Sequence, residues 1–444
     1  MRKQRFILLA LLVAMLALLA AGCGGDDEAG DGGGDTTAAT TGDDGGGEAV
    51  SGSINVLAVW TGAEGEAFQA VLDGFTEQNP DVDVSYQSAQ DPATVLSTSV
   101  EGGNPPDVAA LPSPGIMADF AGRGALTPID FARDTIEENY ADVWLDLGTV
   151  EEELYGVFFK GANKSTVWYN VAQYEAAGIE PAEDWETFLS NAETLAASGT
   201  PAYSIGGADG WTLTDLFENI YLRTAGPEMY DQLATHEIPW TDESVTNALT
   251  EMGKILGDTD NIAGGTSGAL QTDFPTSVTQ VFADPPKAAQ VLEGDFVGGV
   301  ISAETQAEAE TGFNVAGFPD IGDSDSPVVG GGDVMVMFKD NPAARALIQY
   351  LATPEAAQIW AERGGFSSPN KNLDTSVYPD EITRTTASAL AEAEVFRFDL
   401  SDLQPAAFGS DAMFSLLQDF LRNPEDVDGT AQALETAAAA AFGG

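Results

Sequence analysis

Ile54-Asn55-Val56-Leu57-Ala58-Val59-Trp60 is an apolar run, Glu64 to Asn79 follows with Phe68, Val71, Leu72 and Phe75 at helical spacing, and Val82-Asp83-Val84-Ser85-Tyr86 alternates apolar with polar. These are the periods of a buried strand, a helix and a second strand. Pro80 closes the helix, because it lacks an amide hydrogen and disfavours helical geometry in the residue before it. Strand–helix–strand is the unit of a parallel sheet, which sets the class as α/β. A helix near Asp91 to Glu101, the turn Asn104-Pro105-Pro106 and a short strand from Asp107 to Leu111 extend the pattern. Trp60, Gln90 and Asp107 are thereby expected at or near strand ends, where open α/β sheets hold their ligands.

Downstream the same logic returns. Val167-Trp168-Tyr169 is strand-like, Val171 to Ala177 and Trp185 to Ala197 are helical, and Val328-Val329 leads through three glycines to Val334-Met335-Val336-Met337-Phe338. Pro342 to Ala352 and Pro354 to Arg363 read as helices whose prolines stand at the permitted first position. No period of about 20 to 50 residues recurs, which removes solenoids and propellers. About 390 residues follow the N-terminal region, too many for one compact core, so two lobes are expected.

Upstream, Arg2, Lys3 and Arg5 precede an apolar run from Phe6 to Ala21 and then Gly22-Cys23. That is the plan of an export signal over residues 1–22. Cys23 is the one cysteine of the chain, so no internal disulfide can form. Leu19-Ala20-Ala21-Gly22-Cys23 resembles a bacterial lipobox, with the leucine one place further back than usual. Cys23 is therefore expected to carry lipid and to hold the protein at the outer face of the cell membrane. Residues 23–52 are Gly-, Asp-, Thr- and Ala-rich with little to bury, and are expected to form a disordered tether.

Composition excludes much. The formal charge of the chain is -54, and removal of the three basic residues of the signal gives -57, which argues against nucleic acid as a partner. His236 is the only histidine and no G-x-S-x-G elbow is present, so neither a serine triad nor a paired-histidine zinc site is at hand. Gly161-Ala162-Asn163-Lys164-Ser165-Thr166 imitates the end of a phosphate loop, but Asn163 stands where glycine is needed. No cofactor and no metal site is expected, and the protein is expected to be a monomer. The 71 Asp and Glu residues leave a carboxylate-pair glycoside hydrolase as the alternative reading; a binding protein for a non-sugar solute is another.

Sugars present apolar C–H faces and many hydroxyls, so a sugar site combines aromatic platforms with side chains that donate or accept several hydrogen bonds. Trp60 with Glu64, Gln90, Asp107, Lys160 with Lys164, Asp209 with Trp211, Asp295 with Phe296, and Asp333 have that character and are the candidate ligand-binding residues.

The blocks Pro105-Pro106-Asp107-Val108, Leu154-Tyr155-Gly156-Val157, Trp168-Tyr169-Asn170, Ala177-Gly178-Ile179 and Trp185-Glu186, in this order, resemble the family 1 extracellular solute-binding proteins. Phe159 to Tyr169, Tyr350 to Ala357, Arg363 to Lys371 and Phe396 to Leu403 are similar to the alpha-glucoside-binding components of ABC sugar importers; Ser113 departs from them, where a longer amide side chain is expected. The resemblance implies a two-lobed, type II periplasmic-binding-protein-like fold. Its three crossings would lie near Lys160 to Thr166, Asp325 to Val329 and Phe366 to Lys371. It implies lobe 1 over 53–162 plus 328–366 and lobe 2 over 163–327 plus 367–444, with the ligand in the cleft between them. It implies an alpha-glucoside or other small sugar as cargo, permease subunits as partners, and no enzymatic activity.

Overall fold

The computed structural model describes residues 50–89 and 92–443. The export signal, Cys23, most of the tether and Gln90 lie outside the described residues. Eleven strands are described: β1 (Gly52–Ala58), β2 (Val82–Ser88), β3 (Val108–Leu111), β4 (Thr149–Val150), β5 (Glu153–Leu154), β6 (Gly156–Asn163), β7 (Thr166–Asn170), β8 (Gln290–Leu292), β9 (Phe313–Gly317), β10 (Val328–Met337) and β11 (Phe396–Phe398).

The opening strand–helix–strand reading is matched by β1, the helix Gly62–Gln78 and β2, with β1 parallel to both β2 and β3. They belong to a six-stranded sheet in the order β11-β10-β3-β1-β2, with β6 paired to β10 off that path. β10 runs antiparallel to β3 and β6 and parallel to β11. Its residues Val334, Met335, Val336 and Met337 are wholly buried, which explains a continuous apolar run where a half-exposed strand would alternate. A second, three-stranded sheet runs β8-β7-β9, all antiparallel.

Each sheet has its own interior. Phe68, Val71, Leu72 and Phe75 seat the helix Gly62–Gln78 on the larger sheet beside Trp360 of the helix Pro354–Ala361. A second cluster gathers Val167 with the helices Trp185–Ser198, Trp211–Ala234, Glu243–Leu256 and Met413–Arg422, and a third, smaller one holds Trp168. Successive residues of a strand point to opposite faces, so Val167 and Trp168 serve different cores.

Consecutive segments change interior between Phe159 and Val167, between Val329 and Val334, and between Phe398 and Leu400. Phe366 stacks on Trp360 at 5.0 Å between ring centres, Tyr378 and Ala387 join the first interior, and β11 pairs with β10. Ile382 of the same stretch joins the third cluster with Trp168, so this segment touches both sides.

The long helix Trp211–Ala234 carries a non-helical Gly226 (φ 82°) followed by Pro227. Its amphipathic signal is broken by burial on nearly every side, which hides it from a periodicity reading.

Candidate functional site

Trp60, Glu64, Lys160 and Asp333 come together at one edge of the larger sheet. In an open α/β sheet the carboxyl ends of the parallel strands form the ligand edge, and Trp60 sits just past the end of β1. β10 runs the other way, and Asp333 lies opposite Lys160 across the β6–β10 ladder, where the register shifts. Such an irregularity re-aims a side chain. The Lys160 ammonium lies 2.5 Å from Glu64 and 3.9 Å from Asp333. The Trp60 indole donates to Asp333 at 2.6 Å. Burial pushes the Asp333 carboxyl up, against the Lys160 charge and the indole donor. For Lys160 burial acts downward, but Glu64 and Asp333 outweigh it and its pKa is raised.

Trp60 is not an open platform in this structure. It is 1% exposed, wedged against Phe68 at 4.5 Å and edge-on to Trp360 at 4.9 Å. Its indole edge is what serves the site. Glu64, by contrast, is half-exposed.

Lys164 stands four residues after Lys160 and therefore on the same side of an extended segment. It bonds Asp215 at 3.0 Å and Asp399 more closely still. Burial would raise the Asp399 carboxyl, but Lys164 and a hydroxyl donated by Ser401 hold it down at about 2. Burial pushes Asp215 up to about 7 against the same ammonium. Oxygens of Asp215, Glu218 and Asp399 lie within 4.8 Å of one another, a spacing in which Lys164 already supplies the positive charge. Gly331 makes this possible, because a Cβ there would meet the Lys164 Cε at 2.8 Å. The run Gly330 to Gly332 thus leaves room for a lysine side chain beside the backbone.

The Lys164 ammonium lies 5.8 Å from the centre of the Trp211 ring. Trp211 begins its helix after Gly210 (φ 81°) and is only partly buried, as are Phe274 and Phe296, whose ring centres lie 5.1 and 5.9 Å from it. This half-exposed aromatic wall, with a cation at its edge, has the amphipathic character that a polyhydroxylated solute needs.

Three candidates are placed otherwise. Asp107 stands at the amino end of β3, opposite the sheet edge that carries Trp60. It accepts from the Asn55 amide at 2.9 Å and from Asn341 Nδ2 at 3.0 Å, and is 6% exposed. It staples strands rather than facing the site edge. Asp295 accepts from the Asn163 amide at 3.1 Å and from the Ser367 hydroxyl, and is buried between those segments. Asp209 accepts from the Phe274 amide at 2.6 Å and so fixes the aromatic wall instead of joining it. Strand-end position on the sequence cannot tell the two edges of a sheet apart without the pairing.

Sequence reading missed Asp215, Glu218, Asp399, Phe274 and Trp360. Asp399 lies inside the Phe396 to Leu403 block already singled out. Asp215 and Glu218 carry the one available signal: acids three apart, flanking Leu216-Phe217 and followed by Ile220-Tyr221-Leu222.

The family model for the bacterial extracellular solute-binding proteins matches residues 60–358. The chain belongs to this family, whose members are the binding components of ABC importers and not enzymes. It is 36% identical over 390 residues to the osmoprotective compounds-binding protein GgtB of Synechocystis sp., covering 86% of this chain and 91% of that protein. It is 32% identical over 389 residues to the alpha-glucosides-binding periplasmic protein AglE of Rhizobium meliloti, covering 85% of each. Among solved structures, the bacterial solute receptor AcbH superposes with a TM-score of 0.78 at 20% identity, covering 88% of this chain and 99% of AcbH. The fold is thus the two-lobed, type II arrangement of solute-binding proteins. Among the described residues no helix is long and apolar enough to cross a membrane.

Proposed function

We propose that this protein captures a neutral glucoside outside the cell membrane and hands it to the permease of an ABC importer. An alpha-linked glucoside that also serves as an osmoprotectant, such as trehalose or sucrose, fits what both relatives are named for binding. The observation that supports this reading most directly is the wall of Trp211, Phe274 and Phe296 with Lys164 against it. Glu64, Lys160 and Asp333 would grip the solute from the larger sheet, since a cleft closes on its ligand only if both sides gain contacts. Asp107 and Asp295 would act through the framework, and Gln90 would be a further contact to the solute. Lobe 1 would take the larger sheet with its return through β11, and lobe 2 the remainder. Lipid on Cys23 would tether the mature chain.

A thermal-shift screen of trehalose, sucrose, maltose, glucose, phosphate and amino acids tests the cargo. A ligand at a hundred times its Kd adds about 2.7 kcal/mol of stability. Recovery of the disaccharide intact is expected; stabilisation by phosphate or an amino acid alone would overturn the assignment.

A further inference from the structure

Among the described residues the buried basic side chains are Lys160, Lys164 and Arg223. Lys160 is paired with Glu64 and Asp333, and Lys164 with Asp215 and Asp399. Arg223, on the helix Trp211–Ala234 and 6% exposed, has only neutral partners. Its Nη1 donates to the Asn219 carbonyl at 3.3 Å and to Asn219 Oδ1 at 3.1 Å, and its Nη2 to the Phe318 carbonyl at 3.3 Å. Its Nε is buried and has no acceptor. The Phe318 ring covers one face of the guanidinium at 4.7 Å. Asp320 is turned instead to its own loop, accepting from Ser324 at 2.8 Å and from the Ser326 amide and hydroxyl at 2.8 and 3.0 Å. A charge is seldom buried without a countercharge, because neutral acceptors do not replace the hydration it loses. Burial accordingly lowers the Arg223 pKa to about 10, with the Asp320 charge opposing.

Arg223 also lines a cavity of about 550 Å³ beside the kink at Gly226 and Pro227, a volume that suits a small molecule. Leu222, Pro227 and Val395 supply apolar wall, and Asp323 and Asp325, both exposed, belong to its lining. The cavity thus offers a buried cation, apolar surface and two exposed acids. Those acids and the charge of -54 repel a bare anion, Arg223 disfavours a bare cation, and a neutral solute would leave the guanidinium without a countercharge. A molecule carrying both charges answers each part. The unpartnered Nε is one prong of the fork by which arginine takes a carboxylate.

We propose that this cavity is a second solute site, which takes a small zwitterion with its carboxylate on the Arg223 guanidinium and its ammonium towards Asp323 and Asp325. Twelve residues of helix, about 18 Å, separate Arg223 from Trp211, so this site and the aromatic wall are distinct. The site stands on Arg223 and its cavity and is independent of the cargo proposed above.

Calorimetry on the purified protein tests it, with 4-aminobutyrate as the zwitterion and acetate as the bare carboxylate. The zwitterion is expected to bind saturably and more tightly than acetate. Arg223→Met, which keeps an apolar stem over Phe318, is expected to weaken it by more than about tenfold, the worth of a charged hydrogen bond. Asp323→Asn combined with Asp325→Asn changes only exposed side chains, and is expected to weaken the zwitterion while leaving acetate unchanged; it decides the matter if Arg223→Met does not fold. Trp211→Ala is expected to leave the zwitterion's affinity as it is. No saturable binding of 4-aminobutyrate, equal binding of acetate, or a folded Arg223→Met that binds like the wild type would overturn the proposal. So would loss of the zwitterion in Trp211→Ala, which would place it at the aromatic wall. Failure of every sugar to bind would instead count against the proposed function alone.

Discussion

Two tryptophans of like composition and opposite circumstance show how much a single residue's surroundings decide. Trp60 is sealed among Phe68, Phe159 and Trp360 while its indole bonds Asp333. Trp60→Ala is expected to lower stability by about 3–5 kcal/mol, as truncation of a core aromatic does. Trp211→Ala removes a half-exposed ring and is expected to weaken sugar binding by roughly 1–3 kcal/mol with little change in melting temperature. Calorimetry and melting curves on the two variants separate these outcomes; the reverse pattern would move the ligand wall to Trp60. Asp107→Ala supplies the contrast among the acids. It strips acceptors from Asn55 and Asn341, so a loss of about 1–3 kcal/mol of stability with unchanged affinity is expected. A changed affinity would return Asp107 to the site.

At the scale of the element, the junction of β6, β7 and β10 is where the two interiors meet. Lys160 ties it to Glu64 and Asp333, Lys164 ties it to Asp215 and Asp399, and Ser165 bonds both Asn219 and the Val329 amide. Gly331→Ala would drive a methyl into the Lys164 side chain. Overpacking of this kind costs typically about 1–3 kcal/mol, and displacement of Lys164 should weaken ligand binding beyond that loss of stability. If binding is unchanged while stability falls, Lys164 is scaffold and no part of the site.

The ends of some elements were legible before any contact was known. The helix Val171–Ala177 begins after Asn170, whose side chain accepts from the Gln173 amide, and stops at Gly178 in the left-handed conformation; both are local signals. The partners of Lys164 were not, because Asp215 and Asp399 lie 51 and 235 residues away in the chain. No period or cap encodes such a distance.

The molecule as a whole is governed by its charge of -54. Repulsion among exposed acids opposes compaction, and salt shortens its reach from about 10 Å at 0.1 M to about 3 Å at 1 M. The melting temperature is expected to rise steadily with sodium chloride over that range. A flat or falling profile would show that the acids are balanced locally. The buried carboxyls set the pH response in two directions. Asp215 is raised in the fold to about 7 by burial, so its contribution is present below its ordinary pKa of about 4 and is lost as pH climbs through 7. For Asp399, opposed by burial but held at about 2 by Lys164, the contribution is present above about 4 and is lost as pH falls towards 2. Stability is therefore expected to peak between roughly pH 4 and 6, and a maximum above pH 8 in denaturant titrations would contradict this balance.

By itself the sequence determined the α/β class, the opening strand–helix–strand unit, the glycine and proline punctuation and the family, because each is written in neighbouring residues or in the order of short blocks. It also brought Trp60, Glu64, Lys160, Lys164, Trp211, Phe296 and Asp333 into consideration by their chemistry. Only the tertiary structure decided which sheet edge each acid occupies and whether an indole is buried or open. It alone showed that Asp215 and Asp399 converge on one ammonium. Those outcomes depend on strand pairing and burial between segments far apart in the chain, and a side chain's charge state follows from that burial rather than from its own identity.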